Sequence, residues 1–511
     1  MAEPGKGTII MKKLCICLLL AAVLSVCGVA GVVLNMQVPA ELAVAPAAGG
    51  FLKPDVARLK KMAAEKSKKE KYPKVVLSGT CGKNNQDNVN YVMYRTRKNT
   101  CILQVSGKGR MEDFLNPEED FLTEGESYVQ QPLGLYLFHR PWDGSGYEKE
   151  YLDAVADCTR IEVGEGITSI GEVAFARFTN PGLKVSLPST LTEIGSYAFA
   201  LSELKEIEIP DSVNSIGDYA FAYSAIKEMR LPDSLDFLGE GVFCAAESLQ
   251  KLYNWNDRLK KIPNFLMESS GIREFTIPDA VTKIGDYSFA GCENLSAIHW
   301  NDKVKVICDN AFSNTGIESM EIPDSVETVG TKVFSWCRKL KTIELGKNQK
   351  DTSLGYSLFH NCRMLEKVVI PDGVTEIEDE VFRDCRSLKT VVMPDGIVRI
   401  GAHAFLGCES LAGIEIPDSV SEIGDMAFAD SGLRTVTLPD GIQGIGDYVF
   451  RNCSRLVIIR LGKNLKAVSK DAFEGCKSLL EIQAPEKQYK QYKELLEKPL
   501  ADYQKVNIVK Y

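Results

Sequence analysis

Histidine is nearly absent. The 511 residues contain four, His139, His299, His360 and His403, and none is paired with another at the spacing a metal site requires. Surplus positive charge is also missing. Lys and Arg total 60 against 69 Asp and Glu, for a net charge of −9 and a pI near 5.4. Without a clustered basic surface the chain lacks the footprint of a nucleic-acid binder. Long apolar runs are missing except for one, which argues against a polytopic membrane protein, while 45% hydrophobic and 25% charged residues argue against general disorder. Gly164, Gly166 and Gly171 superficially match a nucleotide loop, yet they recur as turns of a repeat and no βαβ pattern follows. No catalytic, cofactor-binding or metal residue is assigned, and the reading is of a protein that is not an enzyme.

The single apolar run extends from Leu14 to Leu34, preceded by Lys12 and Lys13. At about 1.5 Å per residue it reaches roughly 30 Å, enough for a transmembrane anchor. A cleaved signal ending at Ala30, with Gly28 at the other recognition position, is the competing reading. Lipidation at Cys27 is disfavoured because Val26 stands where a small residue is needed. Lys6, Lys12 and Lys13 precede the run and the next lysine is Lys53, which puts the amino end in the cytoplasm and the rest outside. The chain then divides into a cytoplasmic end (1–13), an anchor or signal (14–34), a Lys-rich stalk (35–74), a β-rich module (75–155), a repeat region (156–483) and a cap (484–511). The lysines of the stalk either solvate a spacer or grip anionic wall polymer. No apolar tail or sorting signal follows the cap, so the amino-terminal segment is the expected anchor.

What is abundant is repetition. A motif LxxIxIPDxVxxIGxxAFxxC recurs with its large apolar anchor at Phe175, Phe199, Phe221, Phe243, Met267, Phe289, Phe312, Phe334, Phe359, Phe382, Phe405, Phe428, Phe450 and Phe473, spaced 22 to 25 residues apart. Self-similarity at that period means a solenoid. Within one unit, Leu388, Val391 and Met393 have the spacing of a short strand whose alternate side chains enter a core, leaving Thr390 and Val392 outside. Pro394, Asp395 and Gly396 turn the chain. Ile397 and Ile400 re-enter the core, Gly401 admits a bend, and Ala404 and Phe405 form a short helical turn. No unit buries its apolar face alone, so the coils must stack.

Cys292, Cys337, Cys362, Cys385, Cys408, Cys453 and Cys476 stand three residues after their anchors. Their expected role is that of small buried hydrophobes in a ladder, with adjacent pairs such as Cys385 and Cys408 as disulfide candidates. After the last unit, Lys487 to Lys498 reads as a helix with Tyr489, Tyr492, Leu495 and Leu496 on one face, the lid a solenoid needs.

The residues IPDSVNSIGDYAFA (Ile209 to Ala222) and IPDSVSEIGDMAFA (Ile416 to Ala429) resemble the BspA-like leucine-rich repeat family. The resemblance runs from Ile161 to about Gln483. The segment from Val76 through Cys81 and Gly82 to Met111, and the pair Pro141–Trp142, resemble the β-rich module that precedes such repeats. The resemblance implies a right-handed array of about fourteen coils, a secreted or envelope-attached location, adhesion to host or bacterial surfaces, and no catalysis. Departures fall at Leu252 to Met267, where Asn256 and Asp257 replace the proline turn, at Trp300 to Asp302, and in the longer coil at Lys347 to Leu354. They are candidate contact points, since insertions in solenoids map to surface loops.

Strand residues between the buried positions line up as rows, and one row is the candidate ligand-binding face: Thr276, His299, Glu321, Glu344, Val369, Val392, Glu415, Thr437 and Arg460. Beside it runs Glu274, Ala297, Ser319, Thr342, Lys367, Thr390, Gly413, Thr435 and Ile458. An ordinary solvated sheet face has the same mixed composition. The function expected is binding or adhesion at the cell surface, through a protein or glycan partner, with the membrane engaged by the amino-terminal segment and nucleic acid excluded. The rival is a structural envelope protein that spaces or covers the wall.

Overall fold

The computed structural model describes residues 74–84, 86–112, 153–347, 352–501 and 506–511. The anchor or signal segment, the stalk up to residue 73, Pro141–Trp142 and His139 lie outside the described residues. Among the described residues no helix is long and apolar enough to cross a membrane.

Each coil is built from two short parallel ladders and a turn segment. In the unit read above, Thr390–Val392 is a three-residue strand with only its central side chain buried, and Arg399–Ile400 is a two-residue strand with Ile400 inside. The strand alternation sends Val391 into the core and leaves Thr390 and Val392 outside, while Leu388 is fully buried and Met393 packs partly buried against the core. Between the strands, the carbonyl of Pro394 accepts the N–H of Ile397 at 3.3 Å, closing the turn the Pro-Asp-Gly sequence signals. Neighbouring coils pair in register, as in Val368↔Val391 and Ile377↔Ile400. Gly401 answers to close approach: a Cβ there would lie 2.5 Å from the carbonyl carbon of Glu378 in the coil before, so bare backbone is required for the coils to stack.

The Ala404–Phe405 stretch is helical only locally. Ala404, Leu406 and Cys408 donate their N–H groups back to Gly401, His403 and Phe405. His403 and Gly407, at φ of 56° and 73°, break each turn before it propagates. The alternate residues His403, Phe405 and Gly407 instead donate to Asp425, Ala427 and Ala429 of the next coil at 3.0, 2.7 and 2.9 Å. Left-handed residues flank the anchors two positions before and after along the array, as with Tyr197 and Leu201 or Lys332 and Trp336. Such torsions cost about 1 kcal/mol or more in a residue with a Cβ. The inter-coil hydrogen bonds fix them.

All fourteen anchors are buried, none more than 1% exposed. From Phe199 onward neighbouring rings stack nearly parallel and offset, Phe199 on Phe221 at 5.2 Å and 2°, Phe382 on Phe405 at 5.2 Å and 16°, Phe405 on Phe428 at 5.3 Å and 3°, while Phe175 is tilted by 37° on Phe199. Burying each ring stabilises by about 1.5–3 kcal/mol, and favourable aromatic geometry adds about 0.5–1.5 kcal/mol per pair. Met267 divides the column between Phe243 and Phe289, where Phe275 meets Phe289 edge-on at 5.2 Å.

The ends are closed differently. At the amino end, β1 (Lys74–Thr80), β2 (Asn88–Arg95) and β3 (Cys101–Arg110) form an antiparallel meander. The first half of β3 pairs in parallel with β4 (Cys158–Val163), and its end pairs with β5 (Ile167–Ile170). One strand thereby contributes to both ladders of the coil beneath it. The bend that permits this falls at Gly107 and Gly109, with φ of 122° and 102°. At the carboxyl end, α1 (Tyr489–Leu495) sets Tyr492 fully buried over the last coil. The Tyr492 hydroxyl donates to the carbonyl of Gly462 at 2.8 Å and accepts the N–H of Leu465 at 2.9 Å. Strand Asn507–Lys510, which nothing periodic in the sequence marks, pairs in parallel with Glu481–Ala484.

Candidate binding face

The three-residue strands repeat a pattern of exposed, buried, exposed side chains, as in Glu274–Thr276, Ser319–Glu321, Thr342–Glu344, Lys367–Val369 and Thr435–Thr437. Their outer residues form the predicted rows. All nine predicted row residues are exposed. The register places Thr276 opposite His299, Glu321 opposite Glu344, Val369 opposite Val392, and Thr437 opposite Arg460. Glu415 sits in a coil whose corresponding segment forms no strand, so the pairing is interrupted on both of its sides. In the second row a Cβ on Gly413 of that coil would meet nothing within 4 Å, which leaves a notch beside Thr390 and Thr435.

Two features of the face escape the sequence pattern. The row continues toward the amino end through Tyr253 and Arg230, which pair in register. Tyr253 is exposed with Lys251 above its ring at 5.1 Å, and Arg230 bonds Asp211 and Asp233 at 2.6 and 2.7 Å. Counting two residues back from the turn proline finds Arg230, whereas the extra residue before Asn256 puts Tyr253 out of that count. At the other end, Arg460 lies 3.7 Å from the centre of the Tyr511 ring, whose hydroxyl donates to Leu461. Arg460 is thus already engaged by the carboxyl terminus.

The sequence departures have structural explanations. Asn301, in the slot of the turn proline, donates through Nδ2 to Pro278 and Val281 of the coil before and accepts the N–H groups of Lys303 and Val304. Asn256 does the same toward Leu235 and Arg258. An amide side chain thereby replaces the proline turn with bonds between coils. Trp300 packs edge-on against Phe312 at 5.8 Å. Residues 348–351 of the long coil lie outside the described residues.

The seven column cysteines are free and buried. Each thiol donates to the carbonyl of the anchor one coil back: Cys337 to Phe312 at 3.1 Å, Cys362 to Phe334 at 3.0 Å, Cys385 to Phe359 at 3.1 Å, Cys408 to Phe382 at 3.2 Å. Ser202, three residues after Phe199, donates to its own anchor's carbonyl at 2.7 Å. In that coil a hydroxyl takes the place of the thiol as donor. Burial pushes the Cys337 thiol up to about 11 and the Cys292 thiol up to about 12, so both stay protonated and unreactive at neutral pH.

The three described histidines do not converge. His299 is exposed in the row, His403 occupies a left-handed turn position, and His360 sits beside Trp336, with burial lowering its pKa against the opposing pull of Glu380. Among the described residues no group of three or more His, Cys, Asp or Glu side chains is arranged to hold a metal ion.

Residues 149–270, 260–389 and 375–497 match the family described as BspA type leucine rich repeat region, in six copies. Among solved structures, a leucine-rich repeat protein from Bacteroides ovatus is 26% identical with a TM-score of 0.53, over 70% of this chain and 84% of that one. A leucine-rich repeat protein from Eubacterium ventriosum is 24% identical with a TM-score of 0.47, over 70% and 95%. A leucine rich cell surface protein from Faecalibacterium prausnitzii is 23% identical with a TM-score of 0.32, over 85% and 94%. Comparison with curated proteins finds no match.

Proposed function

We propose that this chain, which belongs to the BspA type leucine-rich repeat family, is a bacterial surface protein that binds a protein or glycan through its open sheet face and performs no catalysis. The observation that carries the reading is the exposed row from Thr276 to Thr437: side chains of different chemistry held side by side on a uniform scaffold. Rigid presentation of varied side chains lowers the ordering cost of recognition, which suits a solenoid to binding. The location rests on the family and on Leu14 to Leu34 with Lys12 and Lys13 before it. On this reading 14–34 holds the array in the membrane or is removed on export, and 35–74 spaces it from the surface. Fractionation with amino-terminal sequencing separates those two fates.

The test is retention of the purified full chain on matrix proteins, on glycans and on other bacterial cells. Saturable retention on one class is expected. A folded chain retained on none of the three overturns the reading.

A further inference from the structure

Four consecutive strands, Ser319–Glu321, Thr342–Glu344, Lys367–Val369 and Thr390–Val392, form one parallel sheet in that order. Two columns on its outer side, separated by the column Ser319, Thr342, Lys367 and Thr390, treat charge in opposite ways. In one, the carboxylates are neutralised coil by coil: Glu318 pairs with Lys341 and Glu366 with Lys389, each at 2.8 Å. In the other, Glu321 and Glu344 stand directly opposite each other in register, exposed, with no cation paired to either among the described residues. Like charges facing one another across strands destabilise a sheet. The same column continues with Val369 opposite Val392, 50% and 45% exposed. Exposed β-branched residues paired in this way give water a contiguous apolar surface.

Resting on the binding reading above, we infer that these four residues form a two-part subsite for a protein segment carrying a basic side chain and an apolar side chain. The carboxylate pair receives a guanidinium or ammonium group. The valine pair receives an aliphatic or aromatic group. The centres of the two halves are two strand spacings apart, about 10 Å at the usual separation. An extended segment places same-face side chains about 6.6 or 13 Å apart at separations of two and four residues, and the length of an arginine spans the difference.

The experiment uses the full chain and fluorescent extended peptides in which arginine and leucine are two, four or eight residues apart, with glutamate-for-arginine and serine-for-leucine controls. Fluorescence anisotropy should show the two- and four-residue spacings binding about tenfold tighter than the eight-residue one. Glu321→Gln with Glu344→Gln should weaken binding about tenfold and flatten its salt dependence, and Val369→Ser with Val392→Ser should weaken it about as much. Glu318→Gln with Glu366→Gln, in the neutralised column, should leave it unchanged. Equal binding of the glutamate peptides, or affinity unaffected by the Glu321 and Glu344 changes, overturns the subsite. So does binding that needs added calcium and ignores the valine changes, since that is a cation site. If no peptide binds while the folded chain is retained on matrix, glycan or cells, the subsite fails and the wider reading stands. Retention on nothing removes both.

Discussion

Inside the array, one column holds nearly the same residue fourteen times; outside, one row holds acids, valines, threonines, a histidine and an arginine in succession. Both obey the same period. The difference lies in what each side chain meets. An anchor such as Phe382 lies between Phe359 at 5.6 Å and Phe405 at 5.2 Å, so any change in size is felt by two coils. A row residue such as Glu344 lies between strands on both sides but turns its side chain to water, so the fold leaves it unconstrained. Stacking enforces repetition in the interior, and variety on the exterior is where recognition has room to reside.

The comparison breaks most easily from the inside. Phe382→Ala should cost about 3–5 kcal/mol, read as a lowered midpoint in denaturant unfolding. An unchanged midpoint would mean that the column is not a continuous core. Gly401→Ala tests contact between coils, because its Cβ would intrude on Glu378 and Asp379 backbone; a loss of about 1–3 kcal/mol is expected from overpacking. The cysteine slot sharpens the contrast further. Cys385→Ser keeps a donor and should stay within about 1 kcal/mol of wild type, with Cys385→Ala less stable than Cys385→Ser. Thiol reagents should leave the column cysteines unmodified until the chain unfolds. On the exterior, Glu344→Ala should change stability by no more than about 0.5 kcal/mol.

The smallest effect concerns the neutralised column. Hydrogen bonds from Lys341 and Lys389 hold Glu318 and Glu366 below the usual carboxylate range. Depressed folded values mean that the stabilisation is present above the ordinary carboxylate pKa and is lost as pH falls through the folded value. Replacing both with glutamine should leave melting at low pH unchanged and slightly lower it at neutral pH. A larger loss at low pH would reverse the assignment.

Much of this was legible before any coordinates. The anchors, both strand types, the proline turns, the cysteine role and the buried face of α1 follow from apolar period and turn chemistry, because each is imposed by local burial. The left-handed residues were not legible. Tyr197, Lys332, Trp336 and Glu380 hold that conformation where glycine would be the usual signal. They hold it because bonds to the next coil, which no local pattern encodes, outweigh the torsional cost. The pairing of β3 with two strands and the addition of Asn507–Lys510 were hidden for a related reason: each happens once, so no period reveals it. In the candidate face, the rows and their register were readable, whereas the engagement of Arg460 by Tyr511 depends on how the chain end folds back.

One comparison of two readouts tests the division of labour most directly. The full chain with His299, Glu321, Glu344, Val369 and Val392 all changed to serine is measured beside wild type for thermal unfolding and for retention on whichever surface wild type binds. Unfolding at the wild-type temperature with retention lost is the predicted result. Retention undiminished in a variant that unfolds normally would contradict it and move recognition away from the sheet face.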